Sequence, residues 1–405
     1  MPPLQIQRSS STLVQQPPVQ AFLLGLLVAA ATVFSFSALA HGQEAVTDTS
    51  QACTIEGQAI ASGLEHPWGL AFLDETTALV TERPGRMQVI DLVTGVQTQV
   101  DGVPEVVDRG QGGLLDVVAA PDVASTGIIY LSFAEPRRGG ATGTSIARAE
   151  LTGWRNGSPS LADVTTLFQQ SGPNREQRHF GSRIVILPDE TLAFTIGDRA
   201  TPQRSQDPFD HAGSVLRIAV DGSIPADNPF ADGSDGAAEI WSTGHRNPQG
   251  AALDQVTGLL WTVEHGARGG DEINQPEAGR NYGWPTISYG VNYSGTRIGL
   301  GTRAEGLEQP VYYWDPSIAP SGMTIVHESA LFPSWQGDML VGALRDQMLV
   351  RLVRQGDTIT GEDRLFEGAF GRIRDVRQGP DGAIWLLTDD PEGDLVRIAP
   401  QDDPC

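Results

Sequence analysis

One pattern recurs six times along the chain and constrains its fold more than any other feature. A short apolar run meets a turn built on Asp, Pro or Gly, a second apolar run follows, and a third often closes the unit. The units open with WGLAFLDETTALVTERPGRMQVID from Trp68, GLLDVVAAPDVASTGIIYLSFAE from Gly113 and SRIVILPDETLAFTIGD from Ser182. They continue with QGAALDQVTGLLWTVEHG from Gln249, GMTIVHESALFPSWQGDMLVGAL from Gly322 and IRDVRQGPDGAIWLLTDD from Ile373. Runs rich in Val, Ile, Leu and Thr between Gly, Pro and Asp are strand signals. Beyond residue 50 no stretch has the periodicity of a long helix. Uneven spacings of roughly 45 to 75 residues lie within or beyond the range of propeller blades with loop insertions. The expectation is a six-bladed β-propeller of four-stranded antiparallel blades. It would form one domain over residues 53–405, with Cys53–Leu64 as an outer strand of the last blade. A two-sheet sandwich is the competing all-β reading, but it leaves the repeated unit unexplained.

The first 40 residues read as a leader rather than as fold. AFLLGLLVAAATVFSFSALA ends in Ala38-Leu39-Ala40, a small-x-small cleavage pattern before His41. The run is long enough to serve as an uncleaved anchor instead. Residues 41–52 are expected to be a flexible lead-in. No later apolar run is long enough to span a membrane, so the mature protein is expected to be periplasmic or secreted. Cys53 and Cys405 are the only cysteines, and an oxidising compartment favours a bridge between them. Two cysteines without a CxxC exclude a cysteine-based zinc site or iron–sulfur cluster. The chain has no Lys, and its 27 Arg face 50 acidic residues for a net charge of -23. That balance disfavours nucleic acid and anionic membrane. It fits solubility in a salty habitat, or docking to a basic electron-transfer partner. Absence of Lys rules out lysine Schiff-base chemistry.

Polar residues gather where the strands end. His179 precedes the apolar run of the third unit and Asp198 ends the next run, LAFTIGD. Adjacent strands of one hairpin would bring both to one end of a blade, where a carboxylate fixes the tautomer of an imidazole base. From Gly244 the chain reads GHRNPQG, a strand, then EHGARGGDEINQPEAGRNYGWP. Strand-end loops on a rigid scaffold are where binding and catalysis concentrate.

These strings resemble the signature of the soluble pyrroloquinoline quinone (PQQ)-dependent sugar dehydrogenases, the glucose/sorbosone dehydrogenase family, over roughly residues 60 to 400. The resemblance implies His179, in HFGSR, as the general base, with the TIGD motif intact at Thr195–Asp198. It implies cofactor contacts at Gln111 in GQGGLL, at Gln203, and at Arg246 and Asn247 in GHRNPQG. The backbone carbonyls of Gly266 and Ala267 would hold calcium under the cofactor, with Ala267 standing where Pro is commoner. Tyr312 falls where the family has an aromatic near the site. Arg345 replaces a Lys directed at the cofactor carboxylates, and Arg372 and Arg374 match a basic pair facing them, for which Arg's fork is suited. A second calcium would draw on Glu272 and on a carbonyl of NYGWP at Tyr282, oxygen ligands of the kind calcium takes. Arg178 before the base and short loops near Pro136 and Ile287 resemble the aldose dehydrogenase branch.

The implied activity is oxidation of an aldose at C1 to a lactone. Hydride would pass to PQQ, calcium would polarise the quinone oxygen, Arg246 would stabilise developing charge, and electrons would leave to a soluble acceptor. Two other classes remain open. A calcium-bearing lactonase would need converging carboxylate and Asn side-chain ligands. A non-enzymatic binding propeller would be favoured by loss of the base or the arginines, and His179, Arg246, Arg372 and Arg374 are all present.

Overall fold

A computed structural model describes residues 45–50 and 53–405; the expected leader, residues 1–40, lies outside them. The described chain forms six antiparallel sheets built from consecutive strands. Blade 1 holds Pro67–Asp74, Thr77–Glu82, Arg86–Asp91 and Gln97–Gln99. Blade 2 holds Leu114–Ala119, Ile128–Pro136, Thr142–Thr152 and Ser160–Gln169. Blade 3 holds Ile184–Ile186, Thr191–Ile196, Ser214–Ala219 and Ile240–Ser242. Blade 4 holds Pro248–Leu253, Leu260–Glu264, Asp271–Asn274 and Tyr312–Trp314. Blade 5 holds Pro320–Ile325, Met339–Ala343, Met348–Gln355 and Thr358–Leu365. Blade 6 takes Ile373–Gln378, Ile384–Thr388 and Gly393–Pro400 from the C-terminal end and Cys53–Leu64 from the N-terminal end.

The first strand of each blade packs against the first strands of both neighbours, and the sixth meets the first, so the ring closes. This is a six-bladed β-propeller. Each sheet buries both faces against adjacent blades, which explains apolar runs where a half-solvated sheet would alternate. Thr191–Ile196 is buried at every position. Apolar layers fill the seams: Leu79, Leu114 and Leu131 between blades 1 and 2, Trp261, Met323 and Val341 between blades 4 and 5. At the closing seam, Phe72 of blade 1 meets Trp385 of blade 6 edge-on at 5.8 Å.

Closure is also covalent, because Cys53 and Cys405 form a disulfide with Cα atoms 5.6 Å apart. One expectation needs correction: Val46–Ser50, within the lead-in taken as flexible, is a strand paired with Cys53–Leu64, so blade 6 has five strands. Its register is fixed from inside, since Ser50 is buried and Asp48 accepts a hydrogen bond from the Phe366 backbone.

Charged residues tie the innermost strands together. Buried Arg183, at the head of blade 3, pairs with Asp116 of blade 2 at 2.8 Å and Asp375 of blade 6 at 3.1 Å. Its Nε donates to the Gln249 carbonyl of blade 4. Arg377 reaches the same two acids at 3.0 and 3.1 Å. Buried charges persist where they are paired and hydrogen-bonded.

Candidate active site

In blade 3, Ile184 pairs with Phe194 in antiparallel register. Residues before the first strand and after the second therefore emerge at the same end. There His179 Nδ1 lies 2.6 Å from Asp198 Oδ1. Asp198 is fully buried and also accepts from Trp284 Nε1 at 2.8 Å and from the Ala200 N–H at 2.8 Å. The His179 N–H donates to Gln111 Oε1 at 2.7 Å, so Gln111 holds the residue in its left-handed backbone at φ 58°. A non-glycine there stores roughly 1 kcal/mol or more of strain, a cost found where function demands a fixed geometry. Gly197 permits this approach: a Cβ there would lie 2.4 Å from the His179 carbonyl oxygen and 2.7 Å from Asn247 Oδ1.

The electrostatics leave His179 neutral. Burial and then Arg246 push its pKa down, and the Asp198 hydrogen bond only partly opposes them. Burial would raise the Asp198 carboxyl, but the His179 hydrogen bond and Arg246 hold it below the usual range. A neutral imidazole beside an ionised carboxylate can accept a proton.

Arg246 and Asn247 stand on the next turn, clamped by buried Glu264. Glu264 Oε2 accepts the Arg246 N–H at 2.5 Å, and its Oε1 accepts from His245 Nδ1 at 2.9 Å and Asn274 Nδ2 at 3.0 Å. The Arg246 carbonyl accepts the Asp198 N–H at 2.8 Å. Its guanidinium stacks over Trp284 at 5.3 Å and donates to the His265 carbonyl at 3.1 Å. Asn247 Oδ1 accepts the Gly181 N–H at 3.2 Å. His179, Asp198, Arg246, Asn247 and Gln111 thus form one hydrogen-bonded group.

His265 leads from this group to a cleft of about 820 Å³, lined also by Gly266, Ala267, Asp315, Ser317 and Arg345. A cleft of that size suits a small-molecule ligand. The glycine-rich turn at its wall packs backbone on backbone: a Cβ at Gly266 would fall 2.2 Å from the Gly269 carbonyl oxygen and 2.3 Å from that of Gly270. Buried Asp271 anchors this turn, accepting from the Gly266 N–H at 2.8 Å and from the Ile318 N–H at 2.8 Å. A small cavity adjoins the turn, lined by Arg246, Glu264, Gly266, Glu272, Tyr282 and Trp284 among others. Burial, with Glu264 close by, pushes the Glu272 carboxyl up to about 8.

Arg372 and Arg374 converge on Asp389 Oδ2, each at 2.9 Å. Burial alone would raise Asp389, but the two arginines hold it well below the usual carboxylate range. Arg374 also donates to Gln249 Oε1 at 2.8 Å, and Arg372 to the Leu344 carbonyl at 3.3 Å, next to Arg345. Arg345 itself is exposed, bonded to the Ser317 carbonyl and 3.7 Å from Asp346.

Two expected residues are not brought into this assembly. Gln203 is exposed on the 3-10 turn Pro202–Gln206. Tyr312 lies on the outermost strand of blade 4, and its hydroxyl donates to Glu362 of the outermost strand of blade 5 at 2.7 Å. The family resemblance implies an aromatic near the site at Tyr312. In an antiparallel blade the fourth strand is the farthest from the ring axis, and that placement carries it to the rim.

Glu264, His265 and Trp284 were missed by the sequence reading. Glu264 and His265 sit inside the EHG string already singled out, and Trp284 inside NYGWP. Only the fold shows that this last loop returns from blade 4 to cover Asp198 of blade 3.

Comparison with known proteins agrees with this architecture. The family model for glucose/sorbosone dehydrogenase matches residues 64–397. The aldose sugar dehydrogenase YliI of Escherichia coli (strain K12) is 40% identical over 351 residues, covering 86% of this chain and 94% of the relative. The crystal structure of the soluble aldose sugar dehydrogenase from Escherichia coli in the apo-form superposes with a TM-score of 0.82 at 41% identity, covering 86% of this chain and all of that one (100%). The PQQ-bound form of aldose sugar dehydrogenase from Streptomyces coelicolor gives a TM-score of 0.71 at 27% identity, covering 88% of this chain and 98% of that one. With its propeller, its His179–Asp198 pair and a family match across nearly all the described residues, the chain belongs to the glucose/sorbosone dehydrogenase family.

Proposed function

We propose that this protein oxidises aldose sugars at C1 to lactones, using PQQ and calcium. The single observation that carries the mechanism is His179 Nδ1 held 2.6 Å from buried Asp198 beside Arg246, where burial and the arginine favour the neutral imidazole. The Nδ1–H of His179 is committed to Asp198, so its Nε2 lone pair is available to take the anomeric hydroxyl proton. Asp198 steadies the imidazolium that forms, and Trp284 and Ala200 keep Asp198 ionised and oriented. Arg246, fixed from three sides, places positive charge where negative charge develops in the transition state.

The residues present fit the two absent groups. Among the described residues, Arg246 Nε, Arg374 Nε and His265 Nε2 are buried without a hydrogen-bond partner. Buried polar atoms of that kind are normally satisfied, so they suit a polar ligand. Two arginines share one carboxylate at Asp389, which leaves cationic capacity for a tricarboxylate. Arg246, Asn247, Arg345, Arg372 and Arg374 would hold PQQ, and the Gly266 and Ala267 carbonyls would hold calcium. Glu272 would contribute to a second calcium, because Glu264 beside it is already satisfied by His245, the Arg246 N–H and Asn274, while among the described residues Glu272 receives only Asn274 Nδ2 at 3.2 Å. When bound, PQQ supplies a hydride acceptor and calcium a Lewis acid.

No helix among the described residues is long and apolar enough to cross a membrane. The disulfide favours an oxidising compartment, so we place the working protein in the periplasm or outside the cell. The test is reconstitution. Protein made without PQQ should be inactive with a dye acceptor and gain aldose oxidation on adding PQQ and calcium; activity without either would reject the reading.

A further inference from the structure

The chain carries 50 acidic residues, yet none lies between Glu277 and Glu305, where Arg280, Arg297 and Arg303 do. This segment joins the third and fourth strands of blade 4 and forms one rim of the cleft through Val291 and Tyr293. Val291 pairs with both Arg268 and Arg297, which fixes those arginines on either side of one short strand-like stretch. Arg280 is paired with Glu277 and Glu308. Arg268, Arg297 and Arg303 are exposed, and among the described residues no carboxylate pairs with them. The same segment exposes Tyr293 (74%) and Leu300 (64%), and Tyr313 (46%) on the fourth strand packs its ring on Tyr289 of the segment at 4.1 Å. The exposed acids of this rim are Glu277, Glu305 and Asp315, with the Glu308 side chain 39% exposed, and of these Glu277 and Glu308 are paired with Arg280.

Unpaired arginine with exposed tyrosine is the composition of an interface centre, where Tyr and Arg are enriched and acids depleted. It contrasts with a molecule whose net charge is -23. Screening makes the local patch decisive, because charges more than about 8 Å away are largely screened at physiological salt. We propose that this rim docks an electron-carrier protein whose surface around its own redox centre is acidic. The proposal rests on the sugar-oxidation reading. Oxidation of an aldose to its lactone releases two electrons and two protons. A one-electron carrier would dock twice per turnover, two oxidised carriers becoming two reduced ones, while the protons pass to water. A carrier seated here stands at the mouth through which those electrons leave.

The test uses the reconstituted full chain at about 0.15 M salt. The acceptors are an acidic plastocyanin-type copper protein, a basic mitochondrial-type cytochrome c and a small phenazine dye. The variants are the pair Arg297→Glu with Arg303→Glu, and Leu300→Ser. For the acidic copper protein, kcat/KM should fall about tenfold or more in the charge-reversed pair, within the usual range of electrostatic effects on association. It should fall about threefold in Leu300→Ser. Dye turnover and the aldose KM should not change. NMR titration of the copper protein with the enzyme before sugar is added gives a readout independent of turnover, and the charge-reversed pair should weaken that binding as well.

The proposal is overturned if the basic cytochrome is the better acceptor and the variants leave the copper protein within twofold. It is equally overturned if wild type neither binds nor reduces the copper protein, if the change falls on the aldose KM, or if only the oligomeric state changes. Failure of any aldose to reduce the dye would instead sink the sugar-oxidation reading, and the titration before sugar would still decide the docking.

Discussion

Replacing Asp198 by Asn examines the proposed base through its support. Asp198 Oδ1 accepts from His179 and Ala200, and Oδ2 accepts from Trp284. An amide has one oxygen and one NH2. Either orientation sets an N–H donor against another donor, and the less costly one faces Trp284. His179 then keeps its tautomer but loses the negative charge that stabilises its protonated form. A hydrogen bond to a charged group is worth about 1.5–3 kcal/mol, which at 1.36 kcal/mol per tenfold corresponds to a roughly 10- to 150-fold fall in kcat. His179→Gln should cost more, roughly two to four orders of magnitude, as loss of a positioned base does. Because Asp198 acts through His179, adding Asp198→Asn to His179→Gln should cost less than about threefold further. The assay is steady-state aldose oxidation with a dye, on variants whose melting temperatures match wild type. Equal cost of Asp198→Asn in both backgrounds would refute the reasoning, and near wild-type turnover by His179→Gln would refute the base itself.

The pH dependence follows from the same group. Burial and Arg246 depress the His179 pKa, so its active, neutral form should persist to lower pH, and the acid limb of kcat/KM should fall below about 6.5. Asp198→Asn removes a hydrogen bond that raises this pKa, so it should move the limb further down; a wild-type limb above about pH 7 would contradict the assignment. Gly197→Ala would press on the His179 carbonyl from 2.4 Å, so turnover should fall at least about tenfold, since small displacements of a catalytic group are costly, and the melting temperature should fall as well, since overpacking a buried site costs about 1–3 kcal/mol. Cys53→Ser should lower stability by about 2–5 kcal/mol, the usual cost of removing a native disulfide. Equal melting temperatures for wild type and variant under non-reducing conditions would show that the bridge does not hold the ring closed.

The propeller was legible because its signal is repeated. Each blade buries both faces, so each wrote the same apolar runs into the sequence, and the closing strand followed from Cys53 and Cys405 at opposite ends. The His179–Asp198 pair was legible for a local reason, since one hairpin must bring its two ends together. What depended on long loops was not. Trp284 reaches Asp198 from a different blade, and no spacing encodes that return. Tyr312 shows the opposite error, a motif position whose side chain the fold turns to the rim between blades 4 and 5. Val46–Ser50 is polar and short, and its strand exists because the edge of Cys53–Leu64 offers it a partner. The axial acids Asp116 and Asp375 were also unread, because burial of a charge is visible only when its partner arginines arrive from other blades.

The central claim is that Arg246, Asn247, Arg345, Arg372 and Arg374 hold a quinone next to calcium. Its most direct measurement is the absorption spectrum of purified, chelator-treated protein titrated first with calcium and PQQ and then with an aldose. The account predicts a saturable change in the quinone spectrum at one equivalent of PQQ, dependent on calcium, followed by bleaching to the reduced form when the sugar is added. It further predicts that His179→Gln binds PQQ with the same spectral change and is bleached at least about a hundredfold more slowly. A spectrum of PQQ unaltered by the protein, or one altered equally with and without calcium and unmoved by any aldose, would contradict it.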